Sequence, residues 1–375
     1  MQEIELKFQV PADALAGVQA DLQALAGADW APWPLRAAYF DTPDRRLATA
    51  RMALRVRQEG PDWVQTLKAG GSNTMTRIED NCPTSAPVNP QAITADLALH
   101  QGRPAEAALV QVLGWQPDAD PHGGGCGLVV LYSTDITRWR CRMVVGSGTP
   151  HEGEVELALD LGHILSEPLQ LPVRELEIEL LNGHPMAVIE AGRQWVTRHG
   201  LWLDTHTKSH RGDRLARRAD AWRAAAPEEA ERLARAWAQT PPFPDAGRAS
   251  PLQAARVKAG TDDAAEAWRA HWSAAIDGLT ANLSEIATLA PADVTPAATV
   301  VREAWHAMGT LLAQVPAVLR RQTSDAALNA VTEGIKAHHQ DWAAAGLTAD
   351  AAITQARSPA TTQMCLQALA LLLPR

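Results

Sequence analysis

The sequence predicts an α+β protein: a closed antiparallel eight-stranded β-barrel with flanking helices, followed by a separate all-α helical bundle domain. Three observations carry this. Segments across the first 215 or so residues alternate charged and apolar side chains with a period of two. After Leu215 the composition shifts to Ala, Arg and Glu, and then reaches Thr240-Pro241-Pro242-Phe243-Pro244-Asp245-Ala246-Gly247, a linker. From residue 262 onward apolar residues recur at helical spacing.

The opening stretch sets the pattern. Glu3, Glu5 and Lys7 alternate with Ile4, Leu6 and Phe8, which makes a strand with one charged and one apolar face. The same alternation returns in Leu54-Arg55-Val56-Arg57, in Thr66-Leu67-Lys68, and in Arg77-Ile78-Glu79. Arg138, Arg140 and Arg142 are spaced by two. Glu154, Glu156 and Asp160 share a face, as do Glu175, Glu177 and Glu179. With the strand Arg36–Asp41, these make eight. A closed barrel with a charged lumen accounts for so many one-sided charged strands and also removes the sheet edges.

Between the strands, Pro11 to Ala26 reads as a helix, with Leu15, Val18, Leu22 and Leu25 at helical spacing. Thr42-Pro43-Asp44 and Glu59-Gly60-Pro61-Asp62 read as turns. Gly70-Gly71-Ser72-Asn73 reads as a hairpin turn and not a phosphate cradle, because no helix follows it. Residues 90–116 look helical, Leu128 to Arg142 is a strand pair or one long strand, and Pro185 to His199 is a helix. Leu215 to Ala238 reads as an exposed helix. In the tail, Trp268, Trp272, Ile276, Leu279, Leu283 and Ile286 form one stripe; Val301, Trp305, Met308, Leu312 and Val315 form another. Both read as bundle core. The domains expected are therefore 1–215, a connecting helix and linker over 216–250, and 251–375.

The chain has 375 residues and a formal net charge of −9, which argues against nucleic acid and against an anionic membrane surface as partners. Cys82, Cys126, Cys141 and Cys365 are scattered without metal spacing and read as free thiols of a cytoplasmic protein. The acidic start is expected to be a strand and not a signal peptide. No apolar run reaches about 18 residues, the length a membrane span needs.

Glu3-x-Glu5-x-Lys7 at the N-terminus resembles the CYTH superfamily, the triphosphate tunnel metalloenzymes. So do, in order, Tyr39-Phe40-Asp41-Thr42-Pro43, Leu54-Arg55-Val56-Arg57, Lys68, Arg77 with Glu79, and Asp135 with Arg138. Glu156 with Asp160, Glu175/Glu177/Glu179 and Lys208 with Arg211 complete the series. The resemblance covers about residues 1–215. It is nearest to bacterial inorganic triphosphatases with a helical CHAD domain after the tunnel. The tail is similar to a CHAD domain over its first part, but Thr299 to Leu312 keeps Arg302 and little else basic. Residues 251–375 carry a net charge of −2, the wrong sign for a polyanion site. The tail is therefore read as a reduced, structural or protein-contacting domain.

The inward charges sort by chemistry. Lys7, Arg55, Arg57, Lys68, Arg77, Arg138, Arg140, Lys208 and Arg211 suit phosphate oxygens, Arg through its planar fork and Lys as a point charge. Glu3, Glu5, Glu79, Glu156, Asp160, Glu177 and Glu179 suit a hard cation, Mg²⁺ or Mn²⁺. The resemblance implies that Lys7, with Tyr39 on a neighbouring strand, activates the attacking water, and it places Glu5 in the catalytic set through the metal it holds. His206 and His210 stand four apart on a segment that need not be helical and are not read as a metal pair.

These residues lead to a metal-dependent hydrolase of inorganic triphosphate, tripolyphosphate giving diphosphate and phosphate. Thiamine triphosphate or a nucleoside triphosphate is the alternative substrate. A non-catalytic triphosphate- or polyphosphate-binding module is the alternative function. Loss of Glu3, Glu5 or Lys7 would have favoured the binding module, and all three are present.

Overall fold

A computed structural model describes residues 4–70, 77–87, 93–225, 262–288, 291–346 and 348–373. Glu3, the linker at 240–247 and most of the expected turn at 70–73 lie outside the described residues, as does the side chain of Arg77.

The described strands form one antiparallel sheet in the order β5-β4-β3-β2-β6-β7-β8-β1-β9. They are β1 (Glu5–Gln9), β2 (Trp33–Asp41), β3 (Met52–Glu59), β4 (Asp62–Gly70), β5 (Arg77–Thr84), β6 (Val129–Val145), β7 (Gly153–Ser166), β8 (Leu169–Gly183) and β9 (Trp202–Leu203). The expected closed eight-stranded barrel is thus corrected to an open nine-stranded sheet. Both ends of the sheet are occupied. β9 takes the second edge of β1, pairing Phe8 with Leu203 and Gln9 with Trp202. At the other end, Arg103 donates to the Asn81 carbonyl and the Cys82 thiol to the Leu99 carbonyl, so a following segment covers the rim of β5. No ladder joins the two ends among the described residues.

Alternation assigns the two faces. On the convex face Phe8, Leu54, Leu67, Leu157, Leu159, Leu176 and Ile178 are fully buried. They pack beneath helices α1 (Leu15–Ala26), α2 (Arg46–Thr49), α3 (Glu106–Leu113) and α4 (Met186–His199) in two apolar clusters. The helix expected over 90–116 breaks into a 3₁₀ turn at Leu97–His100 and α3. Asp96 caps the turn through Ala98 N, and Gly102, with φ 71°, and Pro104 separate the two pieces.

The concave face is partly filled. Helix α5 (Lys208–Ala224) lays Leu215, Ala216 and Ala219 against Tyr39, Tyr132, Ile136, Ile164 and Val173. The exposed helix expected from Leu215 is corrected: the helix starts at Lys208, and one face of its first three turns, Arg211, Gly212, Leu215, Ala216 and Ala219, is buried against the sheet. Gly212 makes the approach fit, since a Cβ there would lie 2.1 Å from the Tyr132 ring.

The tail is helical as expected: α6 (Asp262–Thr288), α7 (Pro291–Ala313), α8 (Ala317–Gln322), α9 (Asp325–Ala344), α10 (Ala349–Ala356) and α11 (Pro359–Ala370). Both predicted stripes are core, from Trp268 through Ile286 and from Val301 through Val315. Their buried indole donors Trp268 Nε1 and Trp272 Nε1 reach the carbonyls of Leu311 and Ala368 at 3.1 and 2.9 Å. Ser324, Thr348 and Ser358 cap α9, α10 and α11. The tail does not stand apart. Its core is continuous with that beneath β1, β7 and β8, and α11 packs on α4.

Candidate active site

Strand register carries the charges into rows across the concave face. One row runs Arg138–Asp160–Glu175–Gln9 and the next Arg140–Ala158–Glu177–Lys7. A third runs Arg142–Glu156–Glu179–Glu5. On the other wing Tyr39, Arg55, Thr66 and Asn81 make a row, beside Lys68 and Glu79.

At the centre Lys208 Nζ lies 2.6 Å from Glu175, 2.8 Å from Asp160 and 2.8 Å from Glu177. Arg138 forks onto Asp160 at 2.7 and 2.8 Å and also bonds Glu177. Arg211, one turn along from Lys208, bonds Glu175. Burial would raise the Glu177 carboxyl, but Lys208 and Arg138 outweigh it and hold it far below the usual carboxylate range. Burial likewise works against the Lys208 ammonium, and Asp160 and Glu177 overcome it, so its pKa rises.

Lys7 lacks such compensation. Burial, with Arg211 and Lys208 adding to it, lowers its pKa to about 8 against the opposing pull of Asp204. Tyr39 stacks on Tyr132 with ring centroids 4.6 Å apart, and its hydroxyl accepts from Arg55 at 3.4 Å. Burial would raise the phenol, yet the charge and hydrogen bond of Arg55 bring it below its ordinary value. Arg55 Nε and Arg211 Nε are buried without an acceptor among the described residues. Unspent donors at the floor of a cationic recess invite an anion.

The expected residues thus divide. Lys7, Tyr39, Arg55, Arg138, Asp160, Glu177, Lys208 and Arg211 converge on the recess. Glu5, Glu156 and Glu179 stand at opposed positions of three adjacent strands at one end of it. Lys68 and Glu79 pair with each other at 2.9 Å on the far wing. Arg57 bonds Glu59 of its own strand. Arg140 lies over the Trp33 ring at 5.3 Å and 3.9 Å from Glu156. Asp135, singled out with Arg138, has the opposite parity and pairs with Arg36 at 3.1 Å on the exposed outer side. Tyr132 escaped the sequence reading, although counting back by two from Arg138 would have put it on the inner face.

The family model for the CYTH domain matches residues 1–212. An inorganic triphosphatase of Haemophilus influenzae is 26% identical over 220 residues, which are 56% of this chain and 54% of that protein. The chain therefore spans about half the length of the curated relative it matches. Similar solved structures include a putative adenylyl cyclase from Hippeastrum described as having a dominant triphosphatase activity. It is 20% identical, with a TM-score of 0.39, covering 56% of this chain and 95% of that one. A putative adenylate cyclase of Bacillus halodurans is 17% identical, with a TM-score of 0.33, covering 56% and 96%. With more than half of its length matched by that family model, the chain belongs to the CYTH domain family.

Proposed function

We propose that the chain is a divalent-metal-dependent hydrolase of inorganic triphosphate. The observation that carries this reading is the pairing, on one concave face, of a recess of cations with spare donors and a row of three carboxylates. Lys7, Arg55, Arg138, Lys208 and Arg211 supply the charge for a compact polyanion. Arg57, Lys68 and Arg140 extend the cationic set toward the rims, and Arg77 belongs to it by sequence.

Asp160, Glu175 and Glu177 bring carboxylate oxygens within 4.8 Å of one another and would suit a hard dication, and Glu5, Glu156 and Glu179, at opposed positions of three adjacent strands, would add oxygen donors beside them. Glu3, two residues before Glu5, belongs to the same set by sequence. A bound Mg²⁺ or Mn²⁺ supplies charge neutralisation at the phosphate oxygens. Asp160 and Glu177 also meet Lys208 and Arg138 and so fix these cations as well. Glu79 does the same for Lys68.

With a pKa of about 8, Lys7 is neutral for part of the time near neutral pH and can take a proton from water at Nζ. The water oxygen forms its bond to the terminal phosphorus as the bridging P–O bond breaks, and diphosphate departs. Arg138, Arg211 and Arg55 stabilise charge on the transferring group, the main contribution in phosphoryl transfer. Tyr39, held by Arg55, borders the same recess.

Phosphate release from tripolyphosphate with Mg²⁺ or Mn²⁺ tests this, for the native chain and Glu5→Gln. ATP and thiamine triphosphate belong beside it as the alternative substrates. Release from tripolyphosphate that collapses in Glu5→Gln supports the reading. Tight binding of tripolyphosphate without release of phosphate would leave a binding module.

A further inference from the structure

Helix α5 carries two sets of polar residues on two faces. Lys208 and Arg211 turn to the sheet. His210 and Arg214, with His206 just before the helix, turn to the tail and meet there on one carboxylate. Glu285 Oε1 lies 3.2 Å from His206 Nε2, 3.9 Å from His210 Nε2 and 2.5 Å from Arg214 Nη1. His210 and Arg214 lie one turn apart on α5, and the His206 ring stacks on that of His210 with centroids 4.8 Å apart. The side chains of Glu285, Arg214 and His206 are nearly dehydrated, at 13%, 12% and 9% exposed.

The preceding residue of α6 acts on the same segment. Ser284 Oγ accepts from Thr205 N at 2.9 Å and lies 3.2 Å from Thr205 Oγ1. From the sheet side, Asp204 N donates to the Lys7 carbonyl, and Asp204 Oδ2 accepts from Gln9 Nε2 at 2.7 Å. The short run Asp204–Thr207 is therefore held between β1 and α6. It ends at Thr207, which caps α5 through His210 N, and the next residue is Lys208.

We infer that Ser284 and Glu285 of the helical tail are positioning residues for the recess, setting Lys208 and Arg211 through the 204–207 run and the His206/His210/Arg214 cluster. This rests on the triphosphatase reading for its kinetic consequence but not for its structural one. A hydrogen-bonded carboxylate fixes a helix more sharply than apolar packing, because losing its partners leaves an uncompensated buried charge. The tail thereby becomes part of the site's machinery while touching no substrate.

The test uses the full chain in two readouts. The first needs no substrate: the ¹⁵Nζ signal of the Lys208 ammonium, identified by its loss in Lys208→Arg. It is compared in the native chain, Ser284→Ala, Glu285→Gln, and Gln363→Ala as a control. Gln363 also bridges the tail and the sheet domain, but to Arg193 and Thr197 of α4, away from α5. The Lys208 signal is expected to shift or broaden in Ser284→Ala and Glu285→Gln and to stay in place in Gln363→Ala. The second readout is tripolyphosphate kinetics, where Glu285→Gln is expected to raise KM by about 10-fold with kcat changed less. An unmoved Lys208 signal in folded Ser284→Ala and Glu285→Gln would overturn the inference, whatever the kinetics. A moved signal in a chain that does not turn over tripolyphosphate would sink the triphosphatase reading and leave the positioning role standing. Ser284→Ala removes only a hydroxyl and decides the question if Glu285→Gln does not fold.

Discussion

Lys208 Nζ stands 2.6 Å from Glu175 Oε2 at the floor of the concave face, with Asp160 and Glu177 completing its shell at 2.8 Å. One ammonium therefore holds three carboxylates together. Without it, three acids are left close to one another and mostly out of water. Lys208→Met is expected to cost about 3–5 kcal/mol, the range for removing one partner of a buried ion pair. Urea denaturation reads the loss, and a midpoint equal to that of the native chain would refute the keystone role.

The depressed Lys7 makes a prediction about pH. Its folded pKa of about 8 lies below the unfolded value near 10.4, so between these limits the unfolded chain binds more protons. Its contribution to stability is thus present above the unfolded pKa and is lost as pH falls through about 8. Stability should therefore rise across this window more steeply in the native chain than in Lys7→Met. The urea midpoint measured from pH 7.5 to 10 in both chains provides the check. Parallel curves would show that Lys7 titrates normally.

Much of the concave face was legible in the sequence, for a simple reason. Period-two alternation fixes which residues share a face, so Glu5/Lys7, Arg55/Arg57 and Glu175/Glu177/Glu179 could be placed before any pairing was known. What alternation cannot give is closure. Whether β1 meets β5 depends on the two residues of β9 and on the segment crossing β5, and neither carries a periodic signal. Alternation is also silent on which charges cancel. Asp160 and Glu177, expected to hold metal, also meet Lys208 and Arg138, because α5 enters the concave face. That entry was hidden in Leu215, Ala216 and Ala219, whose composition suits an exposed helix as well as a buried one.

Arg55 should report on anion binding with little effect on stability. Its Nε is buried without an acceptor among the described residues, and its hydrogen bond to Tyr39 is long, at 3.4 Å. Arg55→Lys keeps the charge and loses the fork, so KM for tripolyphosphate should rise by about 10-fold or more. Thermal unfolding should move little or upward, since a buried donor without a partner is costly. A fall in stability with unchanged KM would make Arg55 a structural residue.

Gly212 tests how tightly α5 must seat. A Cβ there would stand 2.1–2.7 Å from three atoms of the Tyr132 ring, and that ring is itself pinned by stacking on Tyr39. Neither neighbour can give way, because Tyr132 also donates to the Ser209 carbonyl at 3.1 Å, in the first turn of the same helix. Gly212→Ala is therefore expected to lose about 1–3 kcal/mol through overpacking, despite the gain in helix propensity. In a Tyr132→Leu background the clash disappears, and the same substitution should cost clearly less, a coupling that a double-mutant cycle measures directly. Equal costs in both backgrounds would mean that α5 slides freely over the sheet. Lys208 and Arg211 could then not be held in register with Glu175, and their place in the recess would need another anchor.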